Sequence, residues 1–506
     1  MFLSRSILPY ITNKSIVLPK ESVYTLPEKV LQFGTGVLLR ALPDYFIEKA
    51  NREGIFNGRI VVVKSTSTGD HRSFAMQDHL YTLCVRAVER NQKKEEDIIH
   101  GCISRVLNAS TEWKDVLKCA HIKTLQIIIS NTTETGLQLV KESIELNPPS
   151  SFPAKLLAFL HERFRAFGNT LDSGMIIIPT ELIPDNGRIL QSYIMDLAAY
   201  NKLSQEFIDW LIKENSFCSS LVDRIVPGKP STDVQAAFEK DLGYSDNLLV
   251  VAESYRLWAI EGTESIKTIL TFEKADEGII IQPDISLFRE LKLRLLNGTH
   301  TLTCGLAFLA GYQTVKDAME DQLSASYIMN LLKQELAFAI PYKVDPSVIS
   351  LYGDNVLDRF RNPFIQHPWI NITLQYSSKM SMRCIPVLLQ HYQQYQHVPE
   401  LFALGFSAYL YFMKPVKVSE GKYFGELNGN LYHIQDDKAA VFYKRWIDLP
   451  PDLLVKEVLA DQECWKTDLN VLPGFAHAVT RYLEMIMEHG MKQTLQHVLS
   501  DKMVTA

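Results

Sequence analysis

In its first 185 or so residues the chain carries apolar positions in short unbroken runs separated by longer, spaced patterns. Val30-Leu31-Gln32-Phe33, Ile60-Val61-Val62-Val63, Leu125-Gln126-Ile127-Ile128-Ile129 and Met175-Ile176-Ile177-Ile178 are such runs. A strand that is apolar at every position is buried on both faces, the habit of parallel sheets covered by helices. Helical spacing over 37–51 follows the first run, and the alternation of strand and helix predicts a doubly wound α/β domain. Beyond about residue 285 the pattern changes to long amphipathic stretches at 286–311, 313–339, 383–395, 398–413 and 452–499, with Gly421–Ile434 as the main candidate for a hairpin or loop. The expected architecture is α/β, with domains at 1–284 and 285–506, the second mostly α-helical.

Composition narrows the class. The 506 residues are 46% hydrophobic and 22% charged, ordinary for folded domains. The net charge of −6 comes from 52 basic and 58 acidic residues without long runs of one sign, so nothing resembles the basic stripe a nucleic-acid partner needs. The densest charged patch, Lys93-Lys94-Glu95-Glu96-Asp97, mixes signs and reads as a solvated turn. No run approaches the roughly 18 apolar residues that span a bilayer, and the N-terminus lacks a signal-peptide pattern. Seven scattered cysteines without C-x-x-C spacing suggest neither disulfides nor a zinc knuckle, which favours a reducing cytoplasm. The 13 histidines offer no zinc-type cluster, so no metal is expected.

Gly34-Thr35-Gly36 directly follows the first strand and opens a helix. The first glycine permits the tight turn, the second lets a pyrophosphate approach the backbone, and the helix start supplies free N–H groups. This is the Rossmann-type signal for a dinucleotide, though Leu39 stands where a third glycine is usual. The second strand ends in Lys64 rather than in an acid that would hold an NAD ribose. Lys64 reads either as a partner for a 2′-phosphate or as a plain surface lysine, so NAD and NADP both stay open.

The chemical candidate is Lys292-x(4)-Asn297-x(2)-His300. At helical spacing Lys292 falls between Phe288, Leu295 and Leu296, in the apolar sector. Burial disfavours a lysine's charged form and makes it a usable general acid/base. His300 lies about 80° and Asn297 about 140° further round the helix. Reducing a ketone places negative charge on its oxygen: Lys292 would give the proton, Asn297 would hydrogen-bond the oxyanion, and His300 would orient the substrate. The plainer reading is a snorkelling lysine, an Asn-Gly helix break and a packed histidine. Cys304, among Leu302, Leu306 and Phe308, reads as packing rather than as a nucleophile.

The Lys292, Asn297 and His300 pattern, with Gly34, Gly36 and Arg40 in G-x-G-x-x-x-R spacing, resembles the long-chain mannitol dehydrogenase family of polyol and uronate dehydrogenases. The resemblance runs from about Glu28 to the C-terminal helices. It includes Gln32-Phe33-Gly34, Ser130-Asn131-Thr132-Thr133-Glu134, Ile178-Pro179-Thr180-Glu181-Leu182-Ile183, the stretch Asn215 to Ile225, and Arg361-Asn362-Pro363. It implies a Rossmann domain before a helical one, metal-independent NAD chemistry, Lys292 as acid/base, and a monomer or weak homo-oligomer acting on a small molecule. It places the cofactor against Phe33, Gly34, Thr35, Gly36, Arg40, Asn131 and Thr132, to which the strand-end reading adds Lys64.

Departures from the mannitol pattern point to a sugar acid. Leu182 stands where mannitol enzymes carry an oxyanion-binding asparagine, with Asn186 nearby, and a polyol-binding arginine is replaced around Asn371. Lys379 of the family's Ser-Ser-Lys stretch is kept. A uronate carboxylate needs a cation, for which Lys379, Arg361 and Arg383 are candidates, Lys379 first. The resemblance implies D-tagaturonate and D-altronate as the reaction pair. The alternatives are fructuronate, a polyol, or a non-catalytic nucleotide-binding protein.

Overall fold

The computed structural model describes the chain apart from residues 66–71, 90–91, 133–135, 171–172, 365–366 and 505–506. Thr133 and Glu134 of the stretch Ser130-Asn131-Thr132-Thr133-Glu134 therefore lie outside the described residues. The chain divides into two compact units, Met1–Ala87 with Lys93–Ile285, and Val88–Gln92 with Ser286–Ala506.

Six parallel strands build the main sheet of the first unit: β1 (Glu28–Phe33), β2 (Arg59–Lys64), β3 (Ile103–Asn108), β4 (Ile127–Ser130), β5 (Ile176–Pro179) and β6 (Ser216–Phe217). Their spatial order is β3-β2-β1-β4-β5-β6. This is the doubly wound order, in which the chain starts mid-sheet, fills one side and then crosses to the other. Phe33 is level with Val63 on one side and with Ser130 on the other, so the carboxyl ends of β1, β2 and β4 form one rim at the switch point.

The unbroken apolar runs now have a cause. Val30, Ile60, Val62, Ile127 and Ile129 face a core shared with Tyr45, Phe46 and Ile47 of α2 (Pro43–Arg52). The intervening Leu31, Phe33, Val61, Val63 and Ile128 face a second core. That core is closed by α3 (Ala109–Lys118), α4 (Phe152–Phe167) and α5 (Asn186–Tyr200). Two sequence expectations are corrected here. The single helix over 37–51 is two, α1 (Val37–Ala41) and α2, broken at Leu42 with φ −126° just before Pro43, which cannot donate an N–H. The charged patch at 93–97 is not a turn but part of a strand, Gln92–His100, whose exposed first half carries the charges.

The second unit is helical, apart from a small antiparallel sheet of Lys417–Ser419, Lys422–Leu427 and Asn430–Ile434 where the hairpin was expected. Its first part runs through α6 (Ser286–Leu291), α7 (Asn297–Leu309), α8 (Pro346–Phe360), α9 (Tyr376–Lys379) and α10 (Ile385–Gln394). The hub is α11 (Glu400–Phe412), buried on nearly every face and packed against α7 and α12 (Phe475–His489). No described helix is long and apolar enough to cross a membrane. All seven cysteines are unpaired.

Candidate active site

Two sets of residues carry the expected chemistry, one in each unit. In the first, Gly34 has φ +130° and its N–H donates to the Val63 carbonyl at 3.0 Å, while Asn131 N–H donates to the Phe33 carbonyl at 3.1 Å. A Cβ at Gly34 would stand 2.8 Å from Leu39 Cδ1, so Leu39, in the place of a third glycine, packs into the space that the first leaves. Gly36 is different: a Cβ there meets nothing within 4 Å. As the residue before α1 it leaves the helix's first N–H groups without a side-chain cap. Open space before uncapped N–H groups at the switch point fits a dinucleotide pyrophosphate.

The other residues expected at the cofactor are placed as follows. Phe33 is wholly buried and Thr35 is half-buried. Lys64, at the end of β2, is only 4% exposed, which overturns its reading as a plain surface lysine. Arg40 is buried against the rings of Phe74 and Tyr81, and its Nη1 donates to the Leu248 carbonyl. Asn131 Nδ2 donates to the Thr180 carbonyl at 3.0 Å, and Thr132 donates through both N and Oγ1 to the Glu181 carboxylate at 2.9 and 3.0 Å. These bonds latch the loop after β4 to the loop after β5. Burial pushes the Glu181 carboxyl above its ordinary value.

Asn186, expected to touch substrate, is fully buried. Its amide donates to the carbonyls of Pro179, Glu181 and Ser220 at 2.9–3.1 Å and accepts from Ser220 N–H at 2.9 Å. It braces the β5–β6 end and has no donor left for a ligand. Leu182 is 59% exposed on the same loop.

In the second unit the segment holding Lys292, Asn297 and His300 is not a regular α-helix. Residues Lys292–Leu296 form a π-turn, in which the Asn297 N–H bonds to the Lys292 carbonyl five residues back. A turn closed over five residues brings Asn297 back toward the Lys292 side, instead of the 140° offset that regular spacing gives. Such turns are rare and gather at functional sites. Two more occur among the described residues of this unit, Leu331–Leu336 and Met380–Cys384, and the Lys292 turn packs against both. Arg294 ties two of them together, donating to the carbonyls of Met382 at 2.5 Å and Arg383 at 3.1 Å. Lys292 is half-buried rather than enclosed as expected. Asn297 is half-buried, with its amide unbonded to any described residue.

His300 is 7% exposed and its Nε2 is buried without a partner. Its imidazole is held well below the ordinary value by burial first, then by the positive charge of His367, Arg359, Arg383 and Lys379. Lys379 Nζ donates to the Ile372 carbonyl at 2.9 Å, and burial followed by Arg383 lowers its pKa. Arg383 Nη1 donates to Thr301 Oγ1 at 3.3 Å. Arg361, the third candidate cation, instead pairs with Asp358 at 3.2 Å, partly exposed at the end of α8.

Sequence reasoning missed Arg359 and His367. For Arg359 a signal was present, since it follows Tyr352 and Val356 at seven and three residues and so lies on the buried face of α8. One set of potential metal ligands exists among the described residues, Glu48, His100 and Cys102 of the first unit, whose ligand atoms lie within 4.8 Å of one another. Burial first, then Arg52, Arg224 and Arg40, hold the His100 imidazole low, while burial, Glu48 and Asp44 push the Cys102 thiol up against the opposing charge of Arg59, so the thiol is held protonated.

Comparison with known proteins places both halves. Residues 28–274 match the model of the mannitol dehydrogenase Rossmann domain, and residues 284–487 that of the mannitol dehydrogenase C-terminal domain. The altronate oxidoreductase of Halalkalibacterium halodurans is 35% identical over 97% of this chain and 96% of its own. That of Bacillus subtilis is 36% identical over 93% of this chain and 95% of its own. Among solved structures, the ternary complex of Pseudomonas fluorescens mannitol 2-dehydrogenase with NAD and D-mannitol has a TM-score of 0.71 at 23% identity, covering 99% and 100% of the two chains. A D-sorbitol dehydrogenase in substrate-free form gives 0.75 at 20% identity, covering 98% and 100%. These two likenesses show the shared fold.

Proposed function

The chain belongs to the mannitol dehydrogenase family, and we propose that within it this protein interconverts D-tagaturonate and D-altronate with NADH and NAD. One observation carries the reading: its likeness to curated altronate oxidoreductases runs at about a third identity through both units, and so covers the glycine turn and the Lys292 segment alike.

When bound, the reduced nicotinamide supplies a hydride to the ketone carbon. Everything else is work for the chain's own residues. The Lys292 ammonium gives its proton to the ketone oxygen as negative charge develops there, and half-exposure lets it regain a proton from solvent. The unspent Asn297 amide, returned to the same side by the π-turn, donates a hydrogen bond to that oxygen. His300, neutral, orients a substrate hydroxyl through its unbonded Nε2. In the reverse direction the neutral amine of Lys292 takes the proton of the alcohol. The uncapped start of α1 beside Gly36 receives the cofactor pyrophosphate. Unpaired cysteines suit a reducing compartment such as the cytoplasm, and the family resemblance suits a monomer or weak homo-oligomer.

The test is initial rates on purified tagaturonate, fructuronate and fructose, followed by loss of nicotinamide absorbance, each with NADH and NADPH. Tagaturonate reduced fastest, and with NADH, is the expected result. Turnover of fructose alone would sink the uronate assignment.

A further inference from the structure

We propose that Arg383, with Lys379 one turn before it, is the residue that grips the substrate carboxylate. The inference rests on the uronate reading above and adds to it the group that selects an acid over a neutral sugar.

Arg383 sits in the π-turn Met380–Cys384, whose backbone is pinned to the Lys292 segment by Arg294. The Cys384 thiol also donates to the Gly298 carbonyl at 3.7 Å. The arginine is thus built onto the same rigid pair of turns as the acid/base set. Its Nη1 reaches Thr301, the residue after His300, at 3.3 Å, while its Nε is buried with no partner. Among the described residues no carboxylate pairs with Arg383 or Lys379, and the Lys379 ammonium has only the Ile372 carbonyl. A sheltered guanidinium with an unspent donor is costly unless something anionic completes it. The planar fork of arginine suits a carboxylate, which takes two parallel N–H bonds.

The neighbouring imidazole has the same deficit. His300 Nε2 is buried and unbonded, and the His367 ring stands edge-on to it with centroids 5.2 Å apart. Cationic and neutral donors therefore converge here, and the acid that acts on Lys379, Asp436, bonds to the Ser377 N–H and forms no ion pair with Lys379 or Arg383. A polyol hydroxyl would leave the Arg383 guanidinium without a counter-charge, whereas a uronate carboxylate would supply one. The rival candidates have other partners: Asp358 holds Arg361, and the Asn186 amide is spent within the first unit.

The experiment compares wild type with Arg383→Gln and Arg383→Lys on tagaturonate and on D-tagatose, the same ketose with a hydroxymethyl group in place of the carboxylate. Removing one partner of a sheltered charge pair predicts that the ratio of kcat/KM for tagaturonate to that for tagatose falls about 100-fold in Arg383→Gln. Most of the fall should appear in KM, with partial recovery in Arg383→Lys. If tagatose turns over too slowly, inhibition by D-altronate and by the neutral polyol D-altritol gives the same comparison. An unchanged ratio, whether from equal losses on both ketoses or from none, overturns the clamp; wild-type melting temperature and NADH affinity identify a folded variant. Failure of wild type on tagaturonate with success on fructuronate defeats the substrate assignment alone, and the fructuronate-to-fructose ratio then tests Arg383 in its place.

Discussion

The imidazole of His300 lies flat on the ring of Phe360, with centroids 4.2 Å apart and planes 12° from parallel. Trp369 closes on its edge at 6.1 Å. One face is therefore sealed by carbon, and charging the ring would cost its hydration with only cations nearby. Burial and those cations hold the imidazole well below its ordinary value, so in the proposed reaction it works by hydrogen bonding and not by titrating. His300→Gln should lower kcat/KM for the ketone by about 10–100-fold, since leaving a substrate hydroxyl without its buried partner costs about 1–3 kcal/mol. It should leave the shape of the rate profile between pH 6 and 8 unchanged. Disappearance of an acid limb near 6.5 in that variant would show that His300 does ionise there.

In the proposed reaction Lys292 is the group that gives its proton to the ketone oxygen. Lys292→Ala should lose about three decades or more in kcat, since acid/base work is worth about 10²–10⁴-fold and a misplaced ketone adds to the loss. Binding of NADH, measured by its fluorescence, should change little. Near-normal turnover would remove Lys292 from the chemistry.

Much of the fold could be read from the chain because a parallel sheet buried on both faces writes itself as unbroken β-branched runs. Four of the six strands of the main sheet announced themselves in that way. The third, Ile103–Asn108, did not, because it carries Ser104 and Arg105, which bond to Glu28. The strand Gln92–His100 was hidden by charge on its exposed half. The Lys292, Asn297 and His300 set was legible from spacing and resemblance. Its true geometry was not, since a π-turn has no residue signature and depends on the packing of Met380–Cys384 against it. The partners of Asn186 and Arg361 were equally out of reach: both residues looked available in one dimension, and tertiary neighbours claim them in three.

Asp44 offers a test of the buried network behind the glycine turn. Burial pushes its carboxyl up to about 7, against opposing bonds from Gln32 and Tyr81 and the charge of Arg40. The unfolded chain ionises it near pH 4. The native state therefore holds the proton more tightly, and this contribution to stability is complete below about pH 4 and is lost as pH rises through about 7. Asp44→Asn keeps the uncharged form at every pH. Its melting temperature should match wild type near pH 4 and exceed it at pH 8, and the difference between the two proteins cancels groups such as His100. A gap that narrows as pH rises would show that Asp44 is ionised in the native state throughout.

Gly34 and Gly36 separate folding from cofactor binding two residues apart. At Gly34 a side chain is opposed twice, by φ +130° and by Leu39 Cδ1 and the Asn131 carbonyl at 2.8 and 3.1 Å from the Cβ position. Gly34→Ala should therefore lower the melting temperature by several degrees, as a strain of about 1–3 kcal/mol does in a chain of this size. Gly36 has φ −64° and ψ 156°, open to any residue, with nothing within 4 Å of an added Cβ. Gly36→Val should fold and melt like wild type, yet its branched side chain would occupy the approach to the first N–H groups of α1. The expected result is a Kd for NADH raised tenfold or more, read by fluorescence titration, with the unliganded melting temperature unmoved. Normal NADH affinity in Gly36→Val would mean that the pyrophosphate binds somewhere other than this turn.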